Sequence, residues 1–552
     1  MQRQIQKGNY VTQDAAARPD DDQPALFDVI IVGAGFAGLY MLHRARGLGL
    51  KARVFEAASG VGGTWFWNRY PGARCDVQSL EYSYQFDEQL QQDWCWSERY
   101  ASQPEILRYV EHVAERFKLR PDIQFNTRIV AARWDDDARL WSVQSEGGGT
   151  AHARFVVMAT GCLSSAQRPR IAGIEDFAGA QYHTGQWPHE GVDFSGKRVG
   201  VIGTGSSAIQ AIPVIARQAA QLTVFQRTAT YSVPAWNAAL APDHEARIKA
   251  DYAGFRARNS QMLAAFGSEV PRGVDSALAA GATELQRRFD ERWGQGGLTF
   301  SGAFGDLILD LDANTLAADY VRGQIRAQVH DPEVAERLSP RQPIGCKRLC
   351  VDSDYYATYN RPNVRLVDIS TTPIERITPE GLQVGDEQVA LDCLVFATGF
   401  DAMTGTLPKM DIRGRNGFSL RDKWQAGPTN YLGLGVAGFP NLFIITGPGS
   451  PSVLTNMIVS IEQHVNWIAD CLVHMRQTGR RVIEAQAAAE LAWVGHVNAV
   501  ADQTLFPRCN SWYLGANVPG KTRVFMPLLG FPAYAQKCTE VAGQGYAGFD
   551  LA

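Results

Sequence analysis

Phe27-Asp28-Val29-Ile30-Ile31-Val32 is a short apolar run that stops at glycine, the pattern of a parallel strand buried on both faces. A glycine-rich stretch follows, Gly33-Ala34-Gly35-Phe36-Ala37-Gly38, then a helical pattern to about Leu48 and a second strand, Ala52–Phe55, closing on Glu56. The same order recurs further on. Arg198–Ile202 reads as a strand, Gly203-Thr204-Gly205-Ser206-Ser207-Ala208 as the turn, Ile209 to about Ala219 as the helix, and Leu222–Phe225 as the next strand. Glu56 stands as far from Gly33 as Gln226 does from Gly203. Two more apolar runs, Phe155–Ala159 and Leu394–Ala397, each close on Ala-Thr-Gly. Between roughly 239 and 331 helical periodicity takes over, predicting helices over Glu245–Ala265, Ala282–Trp293 and Ala313–Val329.

The glycines have separate tasks. In the first turn Gly33 permits the tight bend, Gly35 lets backbone approach a pyrophosphate, and Gly38 lets helix pack closely on strand. The helix N-terminus then presents N–H groups and a positive dipole end to the phosphates. Glu56 can accept hydrogen bonds from an unphosphorylated ribose. At the corresponding place the second unit has Gln226 followed by Arg227, which removes a carboxylate's repulsion of a 2′-phosphate and supplies a charged fork. The first site therefore suits a dinucleotide without a 2′-phosphate, such as FAD, and the second suits NADPH. Two such sites in one chain imply electron transfer between cofactors.

At 552 residues the chain exceeds one hydrophobic core, and 45% hydrophobic with 20% charged residues is ordinary for a globular protein. The fold class expected is α/β, with two Rossmann-like dinucleotide-binding domains and a helical insertion. The FAD domain is expected to be discontinuous, residues 25–165 and 375–552. The NADPH domain would comprise 166–238 and 332–374, the insertion 239–331, and residues 1–24 an extended polar tail. A net charge of −4 gives no electrostatic case for nucleic acid or an anionic membrane. No stretch approaches the roughly 20 apolar residues that span a bilayer, and the polar N-terminus has no apolar signal-peptide core. Nine scattered cysteines suit a reducing compartment better than a disulfide framework, so a cytoplasmic location is expected. Cys346 and Cys350 have no metal-ligand spacing, and no metal is expected.

The reaction is narrowed by Phe177-Ala178-Gly179-Ala180-Gln181-Tyr182-His183-Thr184-Gly185-Gln186-Trp187-Pro188 and by Gly62-Gly63-Thr64-Trp65 leading to Tyr70-Pro71-Gly72-Ala73-Arg74-Cys75-Asp76. Both resemble the signatures of FAD-containing (type I) Baeyer–Villiger monooxygenases. The resemblance runs from about Phe27 to the C-terminus and is nearest to the family's phenylacetone-oxidising branch. It is carried also by Trp67–Asp76, Tyr100–Tyr109, and Trp512-Tyr513 ahead of Gly515–Lys521. It implies that NADPH reduces FAD, that O2 forms a C4a-peroxyflavin, and that this converts ketones to esters or lactones, with sulfoxidation as a side activity. The partners implied are a ketone and molecular oxygen, and a monomer is expected.

Lys347-Arg348 ahead of Leu349 resembles the family's catalytic Lys-Arg pair, which implies that Arg348 is the catalytic cation, since an arginine stays charged throughout the cycle. Asp76 would orient it and tune the flavin edge. FAD contacts would come from Gly33, Gly35, Phe36, Gly38, Glu56, Gly63, Thr64, Trp65, Asp76, Tyr82 and Met457. NADPH contacts would come from Gly203, Thr204, Gly205, Ser206, Ser207, Gln210, Arg227, Thr228, Lys347 and the lid residue Trp512. Of the fingerprint residues Phe177, Gly179, His183 and Trp187, His183 is expected to couple domain motion rather than act as a base, and Trp187 to be structural. Ser452, Val453 and Leu454 would line the substrate pocket, with Val453 standing where that branch has alanine. Three alternatives stay open: a flavoprotein that oxygenates nitrogen or sulfur, a disulfide reductase, and an FAD-carrying protein without turnover. The reductase would need a redox cysteine pair beside the flavin, and no Cys-x-x-Cys or Cys-x4-Cys is present.

Overall fold

A computed structural model describes residues 25–521 and 530–552; the expected N-terminal tail, residues 1–24, lies outside the described residues. The strand Ala25–Val32 is buried on both faces from Val29 onward and sits centrally. It pairs in parallel with Ala52–Phe55 on one side and Thr150–Met158 on the other. Leu442–Ile444 adds in parallel to Thr150–Met158, and the sheet continues through the antiparallel strands Leu140–Ser145 and Ile129–Asp135. A second sheet of five parallel strands runs in the order Val364–Asp368, Gln221–Gln226, Arg198–Ile202, Cys393–Phe396, Ala180–His183.

The two glycine turns are built alike. Gly33 N–H donates to Phe55 O at 2.8 Å, and Gly203 N–H to Phe225 O at 3.0 Å. Ala159 N–H donates to Val32 O and Ala397 N–H to Ile202 O, both at 2.9 Å. Gly33 and Gly203 have φ of +106° and +110°, and a Cβ on either would lie 2.6 or 2.5 Å from the carbonyl of Ala159 or Ala397. Each Ala-Thr-Gly strand end thus closes on the glycine turn of its own unit. Gly38 serves the expected packing role, since a Cβ there would lie 1.8 Å from Gly33 O.

One expected boundary moves. Cys393–Phe396, expected in the FAD unit, is instead flanked by two strands of the second sheet. All four of its residues are buried, so the run needs a neighbour on each side, and the first sheet's equivalent place is taken by Thr150–Met158. The antiparallel ribbon Ile374–Thr378, Gly381–Val384 and Glu387–Ala390 packs Ile377, Leu382 and Val389 on Ile202 and Phe225 of the same unit. The chain therefore leaves the second sheet near residue 398 rather than 375.

The helical segment also departs from expectation. The single helix over Glu245–Ala265 is two, Pro242–Ala250 and Tyr252–Ser260. They break at Asp251, whose carboxylate accepts from Gly254 N–H and caps the second helix. The later helices are Ala282–Gln295 and Leu311–Gln328, the last capped by Asp310. Ile248, Tyr252 and Phe255 enter the first core, while Phe289, Phe300 and Val321 enter the second. The segment consequently braces both units.

The helix Met457–Gln477 packs on the helix of the first glycine turn, where Tyr40 OH donates to Asn466 at 2.8 Å. Glu462 on it is buried, with one carboxylate oxygen accepting from the N–H groups of Gln85 and Phe86 and the other left without a partner. Burial pushes this carboxyl up to about 7 from an ordinary value of 4.5. A raised carboxyl favours folding below the ordinary value, and that contribution is lost as pH rises from 4.5 through about 7. Glu462→Gln should therefore raise the thermal midpoint at about pH 8 relative to the parent and change it little at about pH 5. Melting curves at the two pH values check this, and a lower midpoint at the higher pH would contradict it.

Candidate functional site

Both glycine turns open on one cleft of about 2370 Å³. Of the residues singled out in the sequence, it gathers Gly33, Gly35, Phe36, Glu56, Gly63, Thr64, Trp65, Asp76, Tyr82 and Met457 from the first unit. From the second it gathers Gly203, Thr204, Gly205, Ser206, Ser207, Gln210, Arg227, Thr228, Lys347 and Arg348. Trp512, Val453 and Leu454 line it as well. Gly38, Phe177, Gly179, His183, Trp187 and Ser452 stand outside its lining.

At the first turn the backbones of Gly35 and Gly63 meet: a Cβ on Gly63 would lie 3.0 Å from Gly35 Cα. This leaves bare peptide on the cleft wall, as close approach of a pyrophosphate requires. Glu56 lines the cleft beside it, with Ala34 N–H donating to one oxygen at 2.6 Å and Ala58 N–H to the other at 2.8 Å. Those bonds fix the carboxylate where a ribose hydroxyl would arrive. Burial raises its pKa, and the two N–H groups work against that rise. Trp65 Nε1 donates to Tyr82 OH at 3.2 Å, and Tyr82 stacks edge-on with Phe36, so these aromatics form one wall.

At the second turn a Cβ on Gly205 would meet nothing within 4 Å, so the cradle is open. Thr204 Oγ1 donates to Thr228 O at 2.8 Å and pins the rim. Gln226 does not line the cleft: it is buried, and its side-chain amide donates to Arg337 O at 2.7 Å. Its contribution is the absence of a carboxylate, and the positive charge comes from Arg227 and Lys347. Burial, and then the neighbouring Arg227, lower the Lys347 pKa. Among the described residues neither cation has an ion-pair partner. Two like charges held together without a counter-ion fit a phosphate dianion.

Where the two units meet stands the central constellation. Arg348 Nη2 donates to Asp76 Oδ2 at 3.0 Å, and Gln210 Nε2 donates to Asp76 Oδ1 at 3.1 Å. Gln210, on the helix Ser206–Gln218, also donates to Arg74 O and accepts from Tyr70 OH at 2.8 Å. Gly72 makes this closeness possible, since a Cβ there would lie 2.3 Å from Gln210 O. Asp76 is 5% exposed against 26% for Arg348, so the carboxylate is buried beneath a guanidinium that reaches the cleft. Burial alone would lower the Arg348 pKa, but Asp76 outweighs it and holds the group above the usual arginine value. The site can present a permanent, fixed positive charge to an anion forming on a bound substrate.

Four features escaped the sequence reading. Tyr513 lies beside Arg348, although the sequence motifs point only to its neighbour Trp512. Lys521 pairs with Asp401 at 2.5 Å and Asn517 donates to Phe400 O at 2.7 Å, strapping the 509–521 segment to the crossing near residue 400. Asp401 directly after Ala-Thr-Gly-Phe was the available signal. Ser452 is fully buried with φ +45°, turned toward Met403 and Thr446, so it supports the pocket loop instead of lining it. Cys346 and Cys509, not expected to pair, are joined with their Cα atoms 6.2 Å apart. Among the described residues no cluster of three His, Cys, Asp or Glu could hold a metal ion.

The fingerprint residues lie at the crossing between units. His183 Nδ1 accepts from Gly185 N–H at 3.0 Å, and its Nε2 faces Gln167 O at 3.3 Å and Thr398 Oγ1 at 3.4 Å. Gln167 N–H in turn donates to Gly399 O. Burial lowers the pKa of His183, which keeps it neutral there. Trp187 packs on Tyr182 and Phe194 in the second core, and Phe177 in the adjoining one. A Cβ on Gly179 would lie 2.4 Å from Asp392 O, so this glycine serves close packing.

Comparison with known proteins is consistent along nearly the whole chain. The family described as "Pyridine nucleotide-disulphide oxidoreductase" matches residues 30–271. A Baeyer–Villiger monooxygenase of Pseudooceanicola batsensis is 43% identical over 94% of this chain and 95% of its own. A phenazine N-monooxygenase of Lysobacter antibioticus is 41% identical over 96% of this chain and 98% of its own. Among solved structures, an oxidised steroid monooxygenase bound to NADP has 49% identity and a TM-score of 0.91, covering 96% of this chain and 99% of that one. OTEMO in complex with FAD and NADP has 38% identity and a TM-score of 0.92, covering 96% and 100%. Among the described residues no helix is long and apolar enough to cross a membrane.

Proposed function

This chain belongs to the Baeyer–Villiger monooxygenases, and from that premise we propose that the Asp76–Arg348 pair supplies the fixed charge on which its ketone oxidation depends. The enzyme uses FAD, NADPH and O2 to convert ketones to esters or lactones. Bound FAD, reduced by NADPH, supplies the oxygen-transferring chemistry. The chain's own residues must do the rest: hold both dinucleotides, position the ketone and stabilise the charge that builds on its oxygen.

Arg348 does the last of these. As the carbonyl carbon becomes tetrahedral, negative charge gathers on the ketone oxygen, and a guanidinium already in place stabilises it without reorganisation. Asp76 and Gln210 hold that guanidinium from below. Bare peptide at Gly35 and Gly63 would receive the FAD pyrophosphate, Glu56 would bind its ribose, and Trp65 and Tyr82 would wall the flavin side of the cleft. Gly205 and the Ser206–Ser207 helix start receive the NADPH pyrophosphate, and Arg227 with Lys347 the 2′-phosphate. His183 couples the two units through Gln167 and Thr398. Cys162, Met403, Val453, Leu454, Met457, Phe506 and Trp512 form an apolar cluster that keeps water from the reacting carbon. That lining selects an apolar ketone, and its similarity to a steroid monooxygenase favours a bulky one. We place the enzyme in the cytoplasm as a monomer.

The single observation that carries this reading is the buried Asp76 carboxylate under Arg348 at the seam of both dinucleotide sites. One relative is named for N-oxygenation, so the same scaffold gives a second reading, in which a ring nitrogen takes the oxygen. Product analysis with phenylacetone, cyclohexanone and phenazine separates the two.

Arg348→Ala should still bind both cofactors and consume NADPH, with ester formation down by about a hundredfold or more. Retained ester formation would overturn the role of Arg348. Lys347→Ala should raise the KM for NADPH about tenfold to a hundredfold and leave that for NADH nearly unchanged. Steady-state kinetics with both nucleotides reads this directly, and equal losses with both would contradict the 2′-phosphate assignment.

A further inference from the structure

Cys346 immediately precedes Lys347-Arg348, and Cys509 stands three residues before Trp512. Their pairing closes a separation of 163 residues and joins the loop that carries Arg348 to the segment that covers it. The pairing is selective. Cys350 lies nearer in sequence but faces Ser206 Oγ at 3.2 Å, and the seven other cysteines are unpaired.

The segment from 509 to 521 is held at both ends. At its far end Lys521 binds Asp401 and Ala402 O, and Asn517 binds Phe400 O. Between the anchors, Tyr513 lies beside Arg348, and Trp512 packs on the same apolar cluster as Leu454 and Met457 over the cleft. The far anchor is non-covalent, an ion pair with hydrogen bonds beside it. The near one, Cys346–Cys509, is covalent and changes only with redox state. Gly345, Lys347 and Asn510, the neighbours of the two cysteines, line the cleft, while Cys346 and Cys509 are themselves buried behind it, so a small oxidant reaches the pair from the cleft when the 509–521 segment opens.

We propose that Cys346 and Cys509 form a reversible disulfide that locks the 509–521 strap onto the Lys347-Arg348 loop and so slows exchange of NADP+. The inference rests on the assignment of Lys347 and Arg227 to the NADPH site. The oxidant is hydrogen peroxide. One cysteine sulfur takes an oxygen atom from peroxide, giving a sulfenic acid and water, and the second thiol displaces that oxygen as a second water. Two S–H bonds and the O–O bond break, one S–S bond forms, and two waters leave. A dithiol reverses the step by two exchanges and departs as its own disulfide. In a reducing compartment the strap then opens freely, and under peroxide it is held shut.

The test uses the full-length FAD-loaded enzyme after hydrogen peroxide or dithiothreitol. Alkylation under denaturing conditions and peptide mapping read the link. The flavin absorbance change on dilution reads NADP+ release, and hydrogen exchange reads residues 509–521. The oxidised parent should yield a Cys346–Cys509 peptide, protect 509–521 and release NADP+ about fivefold or more slowly than the reduced parent. Cys346→Ser and Cys509→Ser should release at the reduced rate after either treatment, while Cys350→Ser should behave as the parent. If a serine variant does not fold, the oxidised and reduced parent decide alone. No linked peptide after peroxide, or a link with unchanged release, overturns the proposal. Lys347→Ala separates the two readings. If NADPH affinity survives that change while redox state still governs release, the lock stands and the 2′-phosphate assignment falls.

Discussion

A buried carboxylate is costly unless something nearby answers its charge, and Asp76 is answered from across the seam between the two units. Asp76 comes from the first unit, on the loop after the short helix Thr64–Trp67. Its two partners, Arg348 and Gln210, belong to the second unit. The pair therefore does more than set a charge in the cleft. It makes the relative placement of the two dinucleotide sites a condition for satisfying a buried group. Gly72, Tyr70 and the Ser206–Gln218 helix exist in this arrangement to let that contact close.

The same logic explains the other end of the site. Arg227 and Lys347 face each other with no counter-ion among the described residues, an arrangement unfavourable by itself. Asp76 answers Arg348 permanently, whereas this second cationic pair is left for a phosphate to answer. On the proposed assignment, one positive group serves chemistry and two serve binding. Which group is which follows from where the carboxylate lies.

Much of this was legible in the residues because it is local. The glycine turns, the strands before them and Glu56 each follow from steric demands within a few residues, and the two units repeat them down to the hydrogen bonds at Gly33 and Gly203. The failures are non-local. Cys393–Phe396 could have joined either sheet by its apolar pattern, and only the occupancy of the first sheet sent it to the second. Asp251 broke a helix by capping rather than by any loss of periodicity. Ser452, expected in the pocket lining, stands outside it because its left-handed backbone turns the hydroxyl inward. The pairing of Cys346 with Cys509 spans too much chain for spacing to announce it. Tyr513 went unnoticed beside a tryptophan of greater size.

The proposed role of Arg348 depends on the seam that holds it, and Gln210 is the most direct handle on that seam, since it touches Asp76 without being the charge itself. The measurement is the ratio of ester formed to NADPH consumed by a Gln210→Leu variant, with apolar ketone and O2 in excess. NADPH oxidation should persist while the ratio falls about tenfold below the parent's, because Asp76 loses one of its two holds and the guanidinium its fixed position. An unchanged ratio would show that Arg348 needs no support from the second unit's helix, and the account would be wrong at its centre.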